Sequence, residues 1–197
     1  MMTQQLLHDK VGKLFRNYGI KSVSMDDIAR ELGMSKKTLY QQVSDKSELI
    51  GQVLQAEFQQ YKKVFLGILA EPGDAVLQLI RLNTFLYSFL NDLSQPFNYD
   101  LQKYYPALFD QIRDEYERLF LPGIRQNLIK GKSEGVFRSD LNEDIISRVI
   151  FSRLEHIPHS GVFSPEEYKS AVITCMASLT RQGRSYWKST VNKLKIT

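Results

Sequence analysis

The stretch Ser24–Lys46, SMDDIARELGMSKKTLYQQVSDK, carries three helix-start signals and one enforced turn. Ser24 is placed to cap a helix, and Asp27, three residues on, completes a capping box. Val23 and Ile28 supply the hydrophobic staple around that cap, and Ile28, Ala29 and Leu32 form one apolar helical face. Gly33 sits where this helix must stop, in a left-handed turn that glycine enters at low cost. Ser35 caps a second helix, with Met34 and Leu39 repeating the staple. Asp45 and Glu48 form a third capping box that opens a longer helix. Two short helices joined by a tight turn predict a helix-turn-helix, whose second helix fits the DNA major groove.

The side chains left free by this packing fit that purpose. No acidic residue occurs from Leu32 to Ser44, so nothing there repels phosphate. Leu39 and Val43, four residues apart, must face inward. Lys36, Lys37, Thr38, Tyr40, Gln41 and Gln42 remain for the outer surface. Lysine donates to guanine O6 or N7, glutamine pairs bidentately with adenine, and a threonine methyl meets the thymine methyl. Tyr40 and Lys46 suit phosphate, through a hydroxyl and a point charge. Asp26 has no role in this pattern, which leaves a backbone N–H near Met25 as the phosphate donor at the start of the first helix.

Residues 4–50 resemble the N-terminal DNA-binding domain of TetR-type transcriptional regulators. The matching pieces are Leu14-Phe15, Tyr18-Gly19, Ser24, Ile28-Ala29-Arg30-Glu31-Leu32-Gly33, Ser35, Thr38-Leu39-Tyr40 and Asp45-Lys46-Ser47-Glu48-Leu49. Val43 stands where many relatives carry Phe, and Gln42 where many carry His. The resemblance implies an all-helical homodimer that represses transcription and releases DNA when a small molecule binds its C-terminal domain. By position, Lys36, Lys37, Thr38 and Gln41 match the family's base-reading region, and Ser24, Tyr40, Gln42 and Lys46 its phosphate contacts. The expected DNA-contact set is therefore Ser24, Met25, Ser35, Lys36, Lys37, Thr38, Tyr40, Gln41, Gln42 and Lys46.

Composition agrees without deciding. A net charge of +4 and a pI near 9.0 suit a polyanionic partner. The single cysteine, Cys175, excludes an intramolecular disulfide framework and fits a reducing compartment. The N-terminus lacks the apolar core of a signal peptide, and no apolar run approaches the roughly 20 residues needed to span a bilayer. The expectation is a cytoplasmic protein without membrane association.

The remaining chain reads as helical almost throughout, giving an all-α fold of about nine helices. Val11, Leu14, Phe15 and Tyr18 form the core face of the first helix. The fourth helix runs from Asp45 to about Ala70, roughly 37 Å at 1.5 Å per residue, and links a DNA-binding domain (1–50) to a larger ligand-binding and dimerisation domain (51–197). Helix 75–93 is apolar on nearly all sides and should be buried. Ser94-Gln95-Pro96 interrupts the chain, and a short helix follows from Tyr99 to Tyr105. Pro106 opens a long helix to about Lys132, with Pro122 inside it. Gly131 to Asp140 reads as a loop. Helix eight, about 143–157, buries Ile146, Val149, Ile150 and Leu154. Ser164-Pro165-Glu166-Glu167 starts helix nine, which carries Tyr168, Val172, Cys175, Met176 and Leu179.

Aromatic residues crowd the second domain. Phe85, Phe89, Tyr104, Tyr105, Phe109 and Tyr116 are candidate walls of a pocket for a small, mostly apolar organic effector, against plain core packing. Helices 143–157 and 165–182 are the expected homodimer interface by resemblance, the alternative being that both stripes face their own core. No cofactor is expected. His156, His159 and Cys175 match no zinc spacing. Asp114, Glu115 and Glu117 read as a solvated ion-pair face with Arg113 and Arg118. No phosphate loop or nucleophile motif is present, so no enzymatic activity is expected. The functional expectation is a ligand-released repressor bound as a dimer to a palindromic operator; the alternative is an architectural or nonspecific DNA-binding protein.

Overall fold

The computed structural model describes residues 3–92, 95–155 and 176–194. Among these, nine helices succeed one another: α1 (Gln4–Tyr18), α2 (Met25–Leu32), α3 (Lys36–Tyr40), α4 (Lys46–Ala70), α5 (Ala75–Asp92), α6 (Gln95–Tyr104), α7 (Pro106–Ser133), α8 (Glu143–Glu155) and α9 (Arg181–Leu194). The only β pairing among the described residues is an isolated bridge between Phe137 and Leu179. None of the described helices is long and apolar enough to cross a membrane. The predicted start of helix nine at Ser164, the set His156, His159 and Cys175, and most of the second expected dimer helix lie outside the described residues.

The chain divides into two compact units, residues 1–61 with 93–116, and residues 62–92 with 117–197. Both α4 and α7 therefore contribute residues to each unit.

In the first unit, α1 turns Leu7, Val11 and Phe15 inward, while Tyr18, expected on the same face, is 64% exposed. Ile20, Val23, Ile28, Leu32, Leu39 and Val43 complete the core around α1–α3, with Leu49, Ile50 and Val53 from α4. The helix α6 packs on α1, and the Phe15 and Phe97 rings stack at 6.4 Å. This helix begins at Gln95, earlier than the Tyr99 expected from sequence. Pro96 stands in its first turn, where a missing N–H costs nothing because that group has no partner within the helix.

In the second unit, α5 buries Val76, Leu79, Ile80, Leu82, Phe85, Leu86 and Phe89, in line with its nearly uniform apolarity. Five phenylalanines, Phe65, Phe85, Phe89, Phe120 and Phe151, form a chain of ring contacts with centroids 4.8–6.5 Å apart. The helix α7 carries Pro122 internally and continues to Ser133, three residues into the expected loop. On α8, Phe151 and Ser147 face inward. Val149, expected in the core, is 40% exposed, and Ile145, one turn earlier, is 59% exposed. The helix α9 packs on α5 through a face that includes buried Trp187 and Thr190.

Candidate nucleic-acid interface

The reading head is built from local hydrogen bonds that the sequence spells out. The Ser24 hydroxyl accepts from the Asp27 N–H at 3.2 Å, while the Asp27 carboxylate accepts from the Ser24 N–H at 3.0 Å and from its hydroxyl at 2.6 Å. These bonds hold the Asp27 carboxyl below the usual carboxylate range. Gly33 ends α2 at φ 66°, with its N–H closing on Ala29 and Arg30 carbonyls. Ser35 then caps α3, accepting from the Thr38 N–H at 3.0 Å, with the two hydroxyls 2.8 Å apart. At the start of α4 the Glu48 N–H donates to Asp45 Oδ1 at 2.8 Å. The returning bond goes one residue further than a standard capping box, because the Glu48 carboxylate accepts from the N–H and hydroxyl of Ser44, both at 2.7 Å.

The expected contact residues separate into three groups. Lys37, Tyr40, Gln41 and Gln42 are exposed and have no side-chain partner among the described residues; Gln41 caps the short helix and Gln42 follows it. Ser24, Ser35, Lys36 and Thr38 are exposed but engaged: Lys36 Nζ lies 3.0 Å from Asp26 Oδ1, and this hydrogen-bonded pairing raises its pKa. Asp26, which fitted no role in the sequence pattern, is the ion-pair partner of the reading helix.

Met25 and Lys46 form the third group. The Met25 side chain is buried, so it offers no side-chain contact at the surface. The Lys46 ammonium donates to the backbone carbonyls of Ile20 and Val23, and burial lowers its pKa. A residue expected to reach phosphate therefore ties the α1–α2 turn to α4.

The same turn is held from a second side. Asp100 of α6, 9% exposed, accepts from the Lys21 N–H at 2.7 Å. Gly19 precedes it at φ 80°, ψ 155°, backbone that only glycine adopts readily, and a Cβ there would stand 2.9 Å from Asp100 Oδ2. Sequence reasoning missed Asp100 because its partner is 79 residues away.

The six candidate pocket residues are divided between the two units. Phe85 and Phe89 belong to the phenylalanine cluster of the second unit, whereas Tyr104, Tyr105, Phe109 and Tyr116 belong to the first. Tyr104 is exposed and accepts from Lys21 Nζ at 3.2 Å, which lowers its phenol pKa. Tyr116 packs edge-on against Phe58 and Tyr61, and burial drives its pKa up. A cleft of about 640 Å³ in the second unit is lined by Asp74, Glu134, Val136, Gln182, Ser185, Tyr186 and Ser189, none of them a predicted wall residue. Of the acidic run on α7, Asp114 pairs with Arg113 at 3.1 Å and Glu115 accepts from Gln55 at 2.9 Å.

Comparison with known proteins points to the same segment. The profile of bacterial regulatory proteins of the tetR family matches residues 12–53. An HTH-type transcriptional regulator of Staphylococcus aureus (strain bovine RF122 / ET3-1) is 28% identical over 123 residues, covering 59% of this chain and 66% of the relative. Another from Staphylococcus aureus (strain USA300) is 39% identical over 54 residues, covering 27% of this chain and 29% of the relative. The matches thus span less than two thirds of these relatives' lengths. Among solved structures, a TetR-family transcriptional regulator from Marinobacter aquaeolei VT8 superposes with a TM-score of 0.69 at 19% identity, covering 98% of each chain. A transcriptional regulator from Saccharomonospora viridis in complex with choline gives 0.72 at 19% identity, covering 89% of this chain and 96% of that one. At such identities these structures speak to the fold.

Proposed function

We propose that this chain, which belongs to the tetR family of bacterial regulatory proteins, is a ligand-released repressor that binds a palindromic operator as a homodimer. One observation carries the DNA-binding part. The face of α3 and its C-terminal turn presents Lys37, Tyr40, Gln41 and Gln42, exposed and unpartnered, on a segment free of carboxylates. Lys37 and Gln41 read base edges, joined by the Thr38 methyl and by Lys36 once it leaves Asp26. Ser24, the Met25 N–H, Ser35, Tyr40 and Gln42 position the backbone. Lys46 contributes by holding the turn that presents α2.

Residues 1–50 are the DNA-binding module and 51–197 the effector-binding and dimerisation domain. Support for the dimer comes from Ile145 and Val149, two large apolar side chains one turn apart on α8 and turned toward solvent in the single chain. The effector is a small, mostly apolar organic molecule. Phe85, Phe89, Tyr104, Tyr105, Phe109 and Tyr116 are its candidate wall residues; the first two lie in a closely packed cluster that the effector must open. Binding acts through α4, one continuous helix from Lys46 to Ala70, and changes the separation of the two reading heads. A shift costing about 3 kcal/mol weakens DNA binding by more than 100-fold, enough to switch a promoter.

Selection of duplexes from a random DNA pool by the full chain tests the reading. An enriched palindrome is expected, and Lys37→Ala should reduce its preference over scrambled DNA. A pool that stays random after selection would favour an architectural binder instead.

A further inference from the structure

Away from α3, the first unit exposes a second cationic surface. Lys21 lies in the α1–α2 turn, its Nζ 4.9 Å from the centre of the Tyr104 ring and bonded to that phenol oxygen. Lys103 of α6 donates from Nζ to the Tyr99 hydroxyl at 2.7 Å and stands 5.0 Å and 5.4 Å from the Tyr99 and Tyr104 ring centres. All four side chains are exposed. Neither lysine pairs with a carboxylate among the described residues; the neighbouring Asp100 is buried and bonded to the Lys21 backbone.

Ring contacts orient these ammonium groups without neutralising them, since an exposed cation–π contact contributes only about 0.5–1 kcal/mol. Each ammonium has three hydrogens; Lys21 commits one to the Tyr104 phenol and Lys103 engages the Tyr99 and Tyr104 phenols, so donors remain on both. Each phenol, acting as acceptor, keeps its own hydrogen to donate. The result is a pair of positive charges close to one ring, with hydroxyls beside them. That combination suits the oxygens of a phosphodiester backbone.

We propose that this end of α6 extends the DNA-contacting surface, with Lys21 and Lys103 neutralising phosphates of the duplex flanking the bases read by α3. The inference rests on the DNA-binding reading above. Continuity favours DNA over an acidic protein surface. The turn bearing Lys21 leads within three residues to Ser24, the cap of α2 and a proposed phosphate contact, a span of at most about 10 Å. Phosphates recur every ~3.4 Å of axis along one strand, so the patch meets the backbone about three base pairs beyond the Ser24 contact. The bond from the Lys21 N–H to Asp100 fixes α6 to that turn.

The test uses the full chain and its selected duplex in two lengths, one with long flanks and one trimmed to the bases read by α3, followed by fluorescence anisotropy across a salt series. With Lys21→Gln and Lys103→Gln combined, the long duplex should bind about 10-fold more weakly, and the slope of log K against log salt should fall by about 0.9 per lysine per subunit. On the trimmed duplex, variant and wild type should bind alike. An unchanged thermal midpoint is expected, because both side chains are exposed. Wild-type affinity and slope on the long duplex, or equal loss on both lengths, would overturn the proposal. If Lys37→Ala still impairs binding in that case, operator reading stands and the patch belongs to an acidic protein partner. If no duplex is preferred and Lys37→Ala has no effect, the DNA-binding reading has failed, and this extension with it.

Discussion

Lys46→Met separates two roles for one ammonium group. In the structure it donates to the carbonyls of Ile20 and Val23, whose own side chains are buried, and lies 6.0 Å from the Phe15 ring centre. Methionine keeps the unbranched stem and removes the charge. A hydrogen bond to a charged group contributes about 1.5–3 kcal/mol, and two carbonyls lose their donor. The desolvation that lowers the Lys46 pKa is recovered on substitution, and partial exposure lets water reach the freed carbonyls. A net loss of about 2 kcal/mol is expected for the α1–α2 turn and the helix it holds. Native-state hydrogen exchange at the Ile28, Ala29 and Leu32 amides reads this locally, as a fall in protection of about 30-fold. The salt dependence of DNA binding should keep its slope. Unchanged protection together with a slope shallower by about 0.9 per subunit would refute this reasoning and return Lys46 to the phosphate backbone.

Other outcomes follow from equally specific contacts. Gly131→Ala places a Cβ 2.2 Å from an atom of the Phe137 ring, which is 2% exposed and has no room to yield. Overpacking of about 1–3 kcal/mol should outweigh the helix-propensity gain of about 1 kcal/mol, giving a lower thermal midpoint. Asp27 and Glu48 are held below their ordinary pKa values of 3.8 and 4.5 by bonds from Ser24 and Ser44. The folded state then binds fewer protons than the unfolded one, so their contribution is complete above about pH 5 and disappears as pH falls through the lower folded values. Melting followed by circular dichroism should be insensitive to these groups from pH 7 to 5, with their contribution lost as pH falls below the ordinary carboxylate range. Replacing Ile145 and Val149 together by Glu should convert a dimer to a monomer in sedimentation at micromolar concentration; a monomeric wild type would remove the basis for that interface.

What the sequence made legible was local. The caps at Ser24, Ser35 and Asp45 bond partners three or four residues away, and Gly33 needs only its own dihedral angles. The failures are non-local or depend on context. Val149 has an apolar side chain, and periodicity alone could not say whether its own core or another surface receives it. The helix α9 was missed because its buried positions include Gly183 and Thr190, with Trp187 between them, which leaves little apolar period. Gly183 is needed there, since a Cβ would meet the Val136 carbonyl oxygen at 2.3 Å. The early start of α6 was hidden by Pro96, taken as a breaker when it stands at a tolerated position.

Asp26 shows how a residue that resists a motif can complete it. A carboxylate near a DNA backbone opposes binding, and capping by Asp27 leaves it without a local purpose. Paired with Lys36, it gives the reading helix one cation that is neutralised off DNA and one, Lys37, that is not. Both partners remain about half exposed, at 52% and 59%, so solvent screens the pair and it opens readily. A guanine edge offers lysine two acceptors, worth about 1–3 kcal/mol of discrimination when well matched. On the proposed DNA-binding reading, Lys36 leaves Asp26 at a matched site, while at a mismatched site the return on leaving is too small and the carboxylate stays against the DNA. On the same reading the pairing would subtract from binding to every sequence and be outweighed only at the right one, which would make Asp26 part of how α3 discriminates.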